Sequence, residues 1–174
     1  RLGGEISDPS ARRFLATQAA DEARHARAYA LYLERIGGIG RPDRAMQRTF
    51  EAALAWQGLM VASHVLLESE VVRLLQRSPY MFSCPLLRRI NRRVIRDEAR
   101  HLAFGRHYLR QRLGELSLAE RRRIQRWVRG LWHDAVYARR GPLTLLSRVN
   151  RGALGRVWRH HEDELRGIGL ITSA

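Results

Sequence analysis

Apolar residues recur every three or four positions along most of the chain, and nowhere do they alternate in the two-residue period of a strand. Asp8-Pro9 reads as an N-cap followed by proline at the first helical position, and Gly37-Gly38 as a stop. Between them one stripe carries Leu15, Gln18, Glu22, His25, Tyr29, Leu33 and Ile36. A second helix is predicted from after Pro42-Asp43 to before Pro79, with the stripe Phe50, Leu54, Gln57, Val61, His64, Glu68, Val72 and Leu75. A third is predicted from Pro85 to about Leu113, with Leu87, Asn91, Val94, Glu98, His101, Leu102, Gly105 and Leu109 on one face. Ser117-x-x-Glu120 is a capping box. It opens a fourth helix whose apolar face is Ile124, Trp127, Val128, Leu131, Trp132, Ala135 and Val136, opposite Arg121, Arg122, Arg123, Arg126 and Arg129. Gly141-Pro142 ends it, and one or two shorter helices follow, including Leu154–Arg166. The pattern predicts an all-α bundle, one domain over 1–174.

Three of these stripes are interrupted by ionisable groups. The pentapeptide Asp-Glu-Ala-Arg-His occurs at Asp21–His25 and again at Asp97–His101. Each copy holds Glu-x-x-His, which on a helix sets carboxylate and imidazole one turn apart on one face. Glu68 stands in the middle of an otherwise apolar face, where a carboxylate needs a strong partner to stay charged. Two Glu-x-x-His pairs facing each other, with a further helical glutamate, are the ingredients of a carboxylate-bridged two-metal site. In such a site Glu22 and Glu98 bridge, His25 and His101 each bind one metal, and Glu68 is terminal. The mixed donor set suits iron or manganese. Asp21 and Asp97 are placed to receive the second N–H of a metal-bound histidine, or else are solvated helix residues. His64, one turn before Glu68, reads as an extra ligand, an outer-shell donor or a bonded core histidine. His160-His161-Glu162-Asp163-Glu164 cannot converge on one ion, because adjacent helical residues point about 100° apart; it reads as a solvated helix end.

Charge alters this picture little. The net charge is +15, and all 32 basic residues are arginine, spread over every helix. That is the mark of coding bias and a solvated basic surface more than of a nucleic-acid site. No apolar run approaches the roughly 18 residues of a membrane span, and no signal peptide is recognisable. The single cysteine, Cys84, excludes an intramolecular disulfide and fits a reducing, cytoplasmic setting.

Asp-Glu-x-Arg-His, twice, with a helical glutamate between, resembles the ferritin-like di-iron oxidases and oxygenases. These include the ribonucleotide reductase small subunit, bacterial multicomponent monooxygenases, acyl-carrier-protein desaturases and p-aminobenzoate N-oxygenase. The stretch Arg96–Gly105 is similar to the last ligand helix of such proteins. The resemblance covers about 8–113 and leaves the helices over about 117–167 as additions. It implies a helical bundle with two iron ions, or Fe/Mn or Mn, at Glu22, His25, Glu68, Glu98 and His101, with Asp21 and Asp97 outside them. It further implies dioxygen activation, a small-molecule substrate and an electron donor. Tyr29, four residues after His25, matches the radical tyrosine of the reductase subunit; the plainer alternative is a buried ring with a bonded hydroxyl. Val72 stands where the monooxygenases carry threonine, which sets the chain apart from that subgroup. Gly105 leaves room either for a substrate or for a close helix contact.

The resemblance also implies a further carboxylate-bearing helix ahead of Asp8, which this sequence does not supply. The bundle is therefore expected to show a groove lined by Leu15, Leu33, Val61 and Leu109. An upstream segment is the expected cover; the C-terminal helices or a second copy of the chain, as a homodimer, are the others. Two other functions fit the same residues: a ferritin- or rubrerythrin-like iron handler, and a basic helical binding module whose buried acids pair with arginines.

Overall fold

The computed structural model describes residues 2–38, 56–137 and 151–171, and its elements are all helical. In chain order they are α1 (Leu2–Glu5), α2 (Pro9–Arg35), α3, α4 (Pro85–Leu113), α5 (Leu118–Tyr137) and α6 (Arg151–Gly167). Helix α3 is continuous but not uniform: an α-turn Trp56–Met60, a π-helical stretch Val61–Leu67 and an α-helical stretch Glu68–Met81. The start predicted after Pro42-Asp43, with Phe50 and Leu54, and the stop at Gly141-Pro142 lie outside the described residues.

The local signals act as their chemistry requires. Asp8 Oδ1 accepts from the N–H groups of Ser10 (2.8 Å) and Ala11 (3.2 Å), with Pro9 in the first turn of α2. At its other end Gly37 takes φ 71° and the Gly38 N–H reaches the Leu33 carbonyl at 2.8 Å. That left-handed turn suits glycine. The capping box forms reciprocally: Ser117 N–H donates to Glu120 Oε2 (2.8 Å) and Glu120 N–H to Ser117 Oγ (3.3 Å).

Pro79 does not end α3, which runs on to Met81. Proline removes the N–H that would bond the Leu75 carbonyl. The Ser78 hydroxyl takes over that acceptor at 2.6 Å, and Asn91 Nδ2 of α4 donates to Ser78 Oγ at 2.7 Å. The helix thus survives its proline through a neighbour in sequence and a neighbour in space.

One apolar cluster draws on every helix: Ile6 and Leu15 beside α1 and α2, Met60, Val61 and Val65 of α3, Leu109 and Leu113 of α4, Ile124 and Val128 of α5, and Leu165 and Ile168 in and after α6. Met60, Leu109, Leu113, Val128 and Leu165 are wholly enclosed. Each such side chain contributes about 1.5–3 kcal/mol of burial. The C-terminal helices are therefore structural walls of the bundle. On α5, Ile124 and Val128 are buried and Trp127, Leu131 and Trp132 half-buried, while Arg122, Arg123, Arg126 and Arg129 are exposed. Arg121 departs from the solvated face, reaching the Gly169 carbonyl at 3.5 Å. The side chains of Ala135 and Val136 lie outside what is described.

The reading of 160–164 as a solvated end is corrected. His161 is fully buried, packed edge-on against Trp132 with centroids 4.7 Å apart, and its Nε2 lies 3.0 Å from Glu70 Oε1. Glu164 pairs with Arg106 of α4 and lies 3.3 Å from His160. Trp158, His161, Leu165 and Ile168 form the inward stripe that holds this segment to the bundle.

Candidate metal centre

The two copies of the repeat meet across the α2–α4 contact, related by an approximate twofold axis. His25 Nδ1 lies 3.7 Å from Glu22 Oε2 and 3.3 Å from Glu98 Oε1. His101 Nδ1 lies 3.4 Å from Glu22 Oε1 and 3.3 Å from Glu98 Oε2. Each glutamate thus spans both imidazoles, one oxygen toward each ring. Glu68 joins from α3: ligand-type atoms of Glu22, Glu68, Glu98 and His101 all lie within 4.8 Å of one another. His25 stands just outside that tight set, on the far side of the two spanning carboxylates. Among the described residues no further carboxylate joins the cluster; Glu5 is an exposed residue at the end of α1.

The other nitrogen of each ring is held by the opposite copy of the motif. His25 Nε2 lies 3.1 Å from Asp97 Oδ2, and His101 Nε2 3.1 Å from Asp21 Oδ2. Both aspartates are buried, so they are not solvated helix residues. Two arginines close the arrangement. Arg24 Nη2 donates to Asp21 (2.6 Å) and Asp97 (3.0 Å), and Arg100 Nη2 to Asp21 (2.8 Å) and Asp97 (2.9 Å). Burial works against ionisation of both aspartates, but their arginine and histidine partners outweigh it and hold both below the ordinary carboxylate range. The arginine of the pentapeptide was therefore as informative as its glutamate and histidine.

Electrostatics within the cluster are lopsided without a cation. Burial opposes charge on His101, yet the carboxylates of Glu22, Glu98 and Asp21 push it up to about 10. Hydrogen bonding to His101 holds Glu22 low despite burial. Burial, reinforced by the negative charges of Glu98 and Glu22, pushes Glu68 up to about 8. Two buried atoms of these side chains, His25 Nδ1 and Glu68 Oε2, have no hydrogen-bond partner. Unpartnered buried ligand-type atoms beside three carboxylates and two imidazoles fit a hard-to-borderline cation.

Glu68 is held from behind. Gln18 Nε2 donates to Glu68 Oε1 at 2.7 Å, and Gln18 Oε1 accepts from His64 Nε2 at 2.8 Å. His64 thus touches Gln18 and lies in the wall, where burial and the nearby His101 push it down to about 4. Gly105 serves the close-packing alternative: a Cβ there would stand 2.4 Å from His64 Cβ. Tyr29 donates its hydroxyl to Asn91 Oδ1 at 2.8 Å, and burial followed by the charge of Glu98 pushes it up to about 12. That is the bonded-hydroxyl alternative, and it links α2 through Asn91 and Ser78 to the Pro79 turn.

A cleft of about 790 Å³ opens over the carboxylates, between α2 and α3. Glu22, Glu68 and Glu98 line it together with Leu15, Ala16, Ala19, Leu59, Leu67 and Val71, and Arg12 is also in the lining; Glu22 is the exposed member of the three acids. Of the four residues expected to line a groove, only Leu15 does so. Val61 and Leu109 are sealed in the core beneath α5 and α6, and Leu33 is half-buried elsewhere on α2. Among the described residues no helix is long and apolar enough to cross a membrane.

No curated protein and no solved structure matches the chain. The family model for p-aminobenzoate N-oxygenase AurF matches residues 7–137. That span takes in α2, α3, α4 and α5, hence every side chain of the acid–imidazole cluster. Helical bundle, duplicated motif and family match agree, and the chain belongs to the p-aminobenzoate N-oxygenase AurF family of ferritin-like di-iron oxygenases.

Proposed function

We propose that the chain holds two metal ions, iron or manganese, and is an oxygenase that oxidises an organic substrate with dioxygen and an external electron donor. The observation that supports this reading is the approach of Glu22, Glu68, Glu98 and His101, whose ligand-type atoms lie within 4.8 Å of one another beside the cleft, with His25 Nδ1 3.3 Å from Glu98. Glu22 and Glu98 would bridge, since each presents one oxygen toward each imidazole. His25 and His101 would bind through Nδ1, because Nε2 of each is committed to Asp97 or Asp21. Glu68 would bind through Oε2, its other oxygen being held by Gln18. When bound, the reduced metal pair supplies electrons to dioxygen.

The protein's own residues do the rest. Asp21 and Asp97 fix the tautomer and tilt of the rings, and the two arginines keep those aspartates charged and still. The apolar part of the cleft lining offers an organic substrate a seat beside the carboxylates; a site of roughly 300–1,000 Å³ is the ordinary size for such a ligand. That seat favours substrate oxidation over an iron store, which needs no organic pocket. The testing experiment is anaerobic titration with Fe(II), followed by oxygen consumption with a chemical reductant. Two irons per chain and reductant-dependent oxygen uptake are expected. A protein that binds no iron at this site, or binds it without consuming oxygen, refutes the reading.

A further inference from the structure

Gln18 was visible in sequence only as one polar member of the α2 stripe. In the structure it is buried and spends both ends of its amide on buried partners, Glu68 on one side and His64 on the other. The Gln18 NH₂ donates to Glu68 Oε1 and its carbonyl faces His64. His64 must then carry its hydrogen on Nε2. Its Nδ1 lies 2.9 Å from the Ser63 hydroxyl, whose single hydrogen is given to the Leu59 carbonyl at 3.0 Å. Three side chains are thereby ordered in one direction: His64 sets the amide of Gln18, and Gln18 sets the carboxylate of Glu68.

The backbone is shaped around this line. Ser63 and His64 lie in the π-helical stretch, and the N–H of Glu68 bonds back five residues to the Ser63 carbonyl. A π-turn inserts a residue and widens the helix, and such turns recur at functional sites. Opposite it, α4 carries Gly105, the residue that lets His64 come this close: His64 Cβ, Cγ and Cδ2 all stand within 3 Å of where a Cβ would be.

We propose that Gln18 and His64 are positioning residues: a directed hydrogen-bond relay that locks one oxygen of Glu68 to the protein and turns the other, Oε2, into the site. The proposal rests on the two-metal reading and concerns which rotamer Glu68 presents to it. Free of the relay, a glutamate at this depth has three rotatable bonds, and its carboxylate would swing toward the open cleft on which it borders.

The test uses the full chain and cobalt(II) alone as probe, titrated anaerobically by calorimetry and visible absorption, with far-UV circular dichroism to check folding. Four variants suffice: Gln18→Met, which keeps volume at the cleft wall but ends both hydrogen bonds; His64→Leu; their double variant; and His64→Gln, which restores a donor toward Gln18. Gln18→Met and His64→Leu are each expected to weaken cobalt binding at least about tenfold and to alter the cobalt d–d bands. The double variant should lose no more than Gln18→Met alone, since members of one relay are not additive. His64→Gln should regain affinity and spectrum, which a purely steric role would not produce. If His64→Leu fails to fold, Gln18→Met carries the test. A wild-type chain that takes up cobalt, with a folded Gln18→Met that takes it up equally and with the same spectrum, overturns the relay alone. Losses that multiply in the double variant also overturn it. A wild-type chain that binds no cobalt overturns the two-metal reading and the relay with it.

Discussion

Replacing Glu68 by glutamine should stabilise the metal-free protein, and only above mildly acidic pH. Glu68 is 7% exposed, and burial with the charges of Glu98 and Glu22 raises its carboxyl from 4.5 to about 8. In the unfolded chain it ionises near 4.5; in the folded chain it keeps its proton until about 8. The folded state therefore binds more protons across that window, and stability falls as pH rises through it. Below 4.5 the group is neutral in both states and costs nothing. Above 8 the penalty is complete, and at 1.36 kcal/mol per unit the 3.5-unit difference corresponds to about 5 kcal/mol. Glutamine is isosteric, carries no charge and can still accept from Gln18. Urea unfolding of chelator-treated wild type and Glu68→Gln, from pH 4.5 to 9, should give curves that coincide at the acid end and diverge by several kcal/mol at the alkaline end. Adding Mn(II) should then restore the wild type far more than the variant, because a cation replaces the proton. A difference that stays flat with pH, or a variant less stable at pH 9, would refute the argument.

The other expectations concern the frame around the cluster. Asp21→Asn and Asp97→Asn should each lower metal affinity about 10–100-fold while leaving the helical content unchanged, as read by calorimetry and circular dichroism; the arginine pair is left facing a neutral amide. Gly105→Ala should destabilise the fold by at least about 1–3 kcal/mol in urea, despite alanine's better helix propensity, because the new Cβ stands 2.4 Å from His64 Cβ. An unchanged midpoint would mean that α3 and α4 separate freely. Ser78→Ala should cost about 1–3 kcal/mol, since it strips partners from the Leu75 carbonyl and from Asn91 at the proline turn.

How far the sequence led depended on whether a feature was local. The start of α2 at Asp8-Pro9, the span of α4 and the capping box at Ser117 are written in adjacent residues, and the structure has them where the signals lie. The approach of Glu22, Glu68, Glu98 and His101, with His25 beside Glu98, follows from their places on stripes at helical spacing. The crossing of the motifs was not: each aspartate is four residues from its own histidine, yet pairs with the histidine of the other copy. Such pairings depend on how two helices are docked, which spacing along one helix does not encode. Pro79 misled because the rescue of Leu75 comes from Ser78 and a distant Asn91. The π-helical stretch is invisible to a reading that assumes 3.6 residues per turn, and with it went the relay through Gln18. His161 shares its stripe with Trp158, Leu165 and Ile168, a packing signal in the sequence that the polar run around it masks.

The central claim is that two metals sit between Glu22 and Glu98, and anomalous diffraction tests it most directly. Crystals grown with Fe(II) or Mn(II) and measured at the corresponding absorption edge should show two peaks roughly 3.5–4 Å apart. One should lie against His25 Nδ1 and one against His101 Nδ1, with Glu68 Oε2 reaching the latter. A fully loaded crystal with no peak among these five side chains, or with its metal elsewhere on the molecule, would contradict the account.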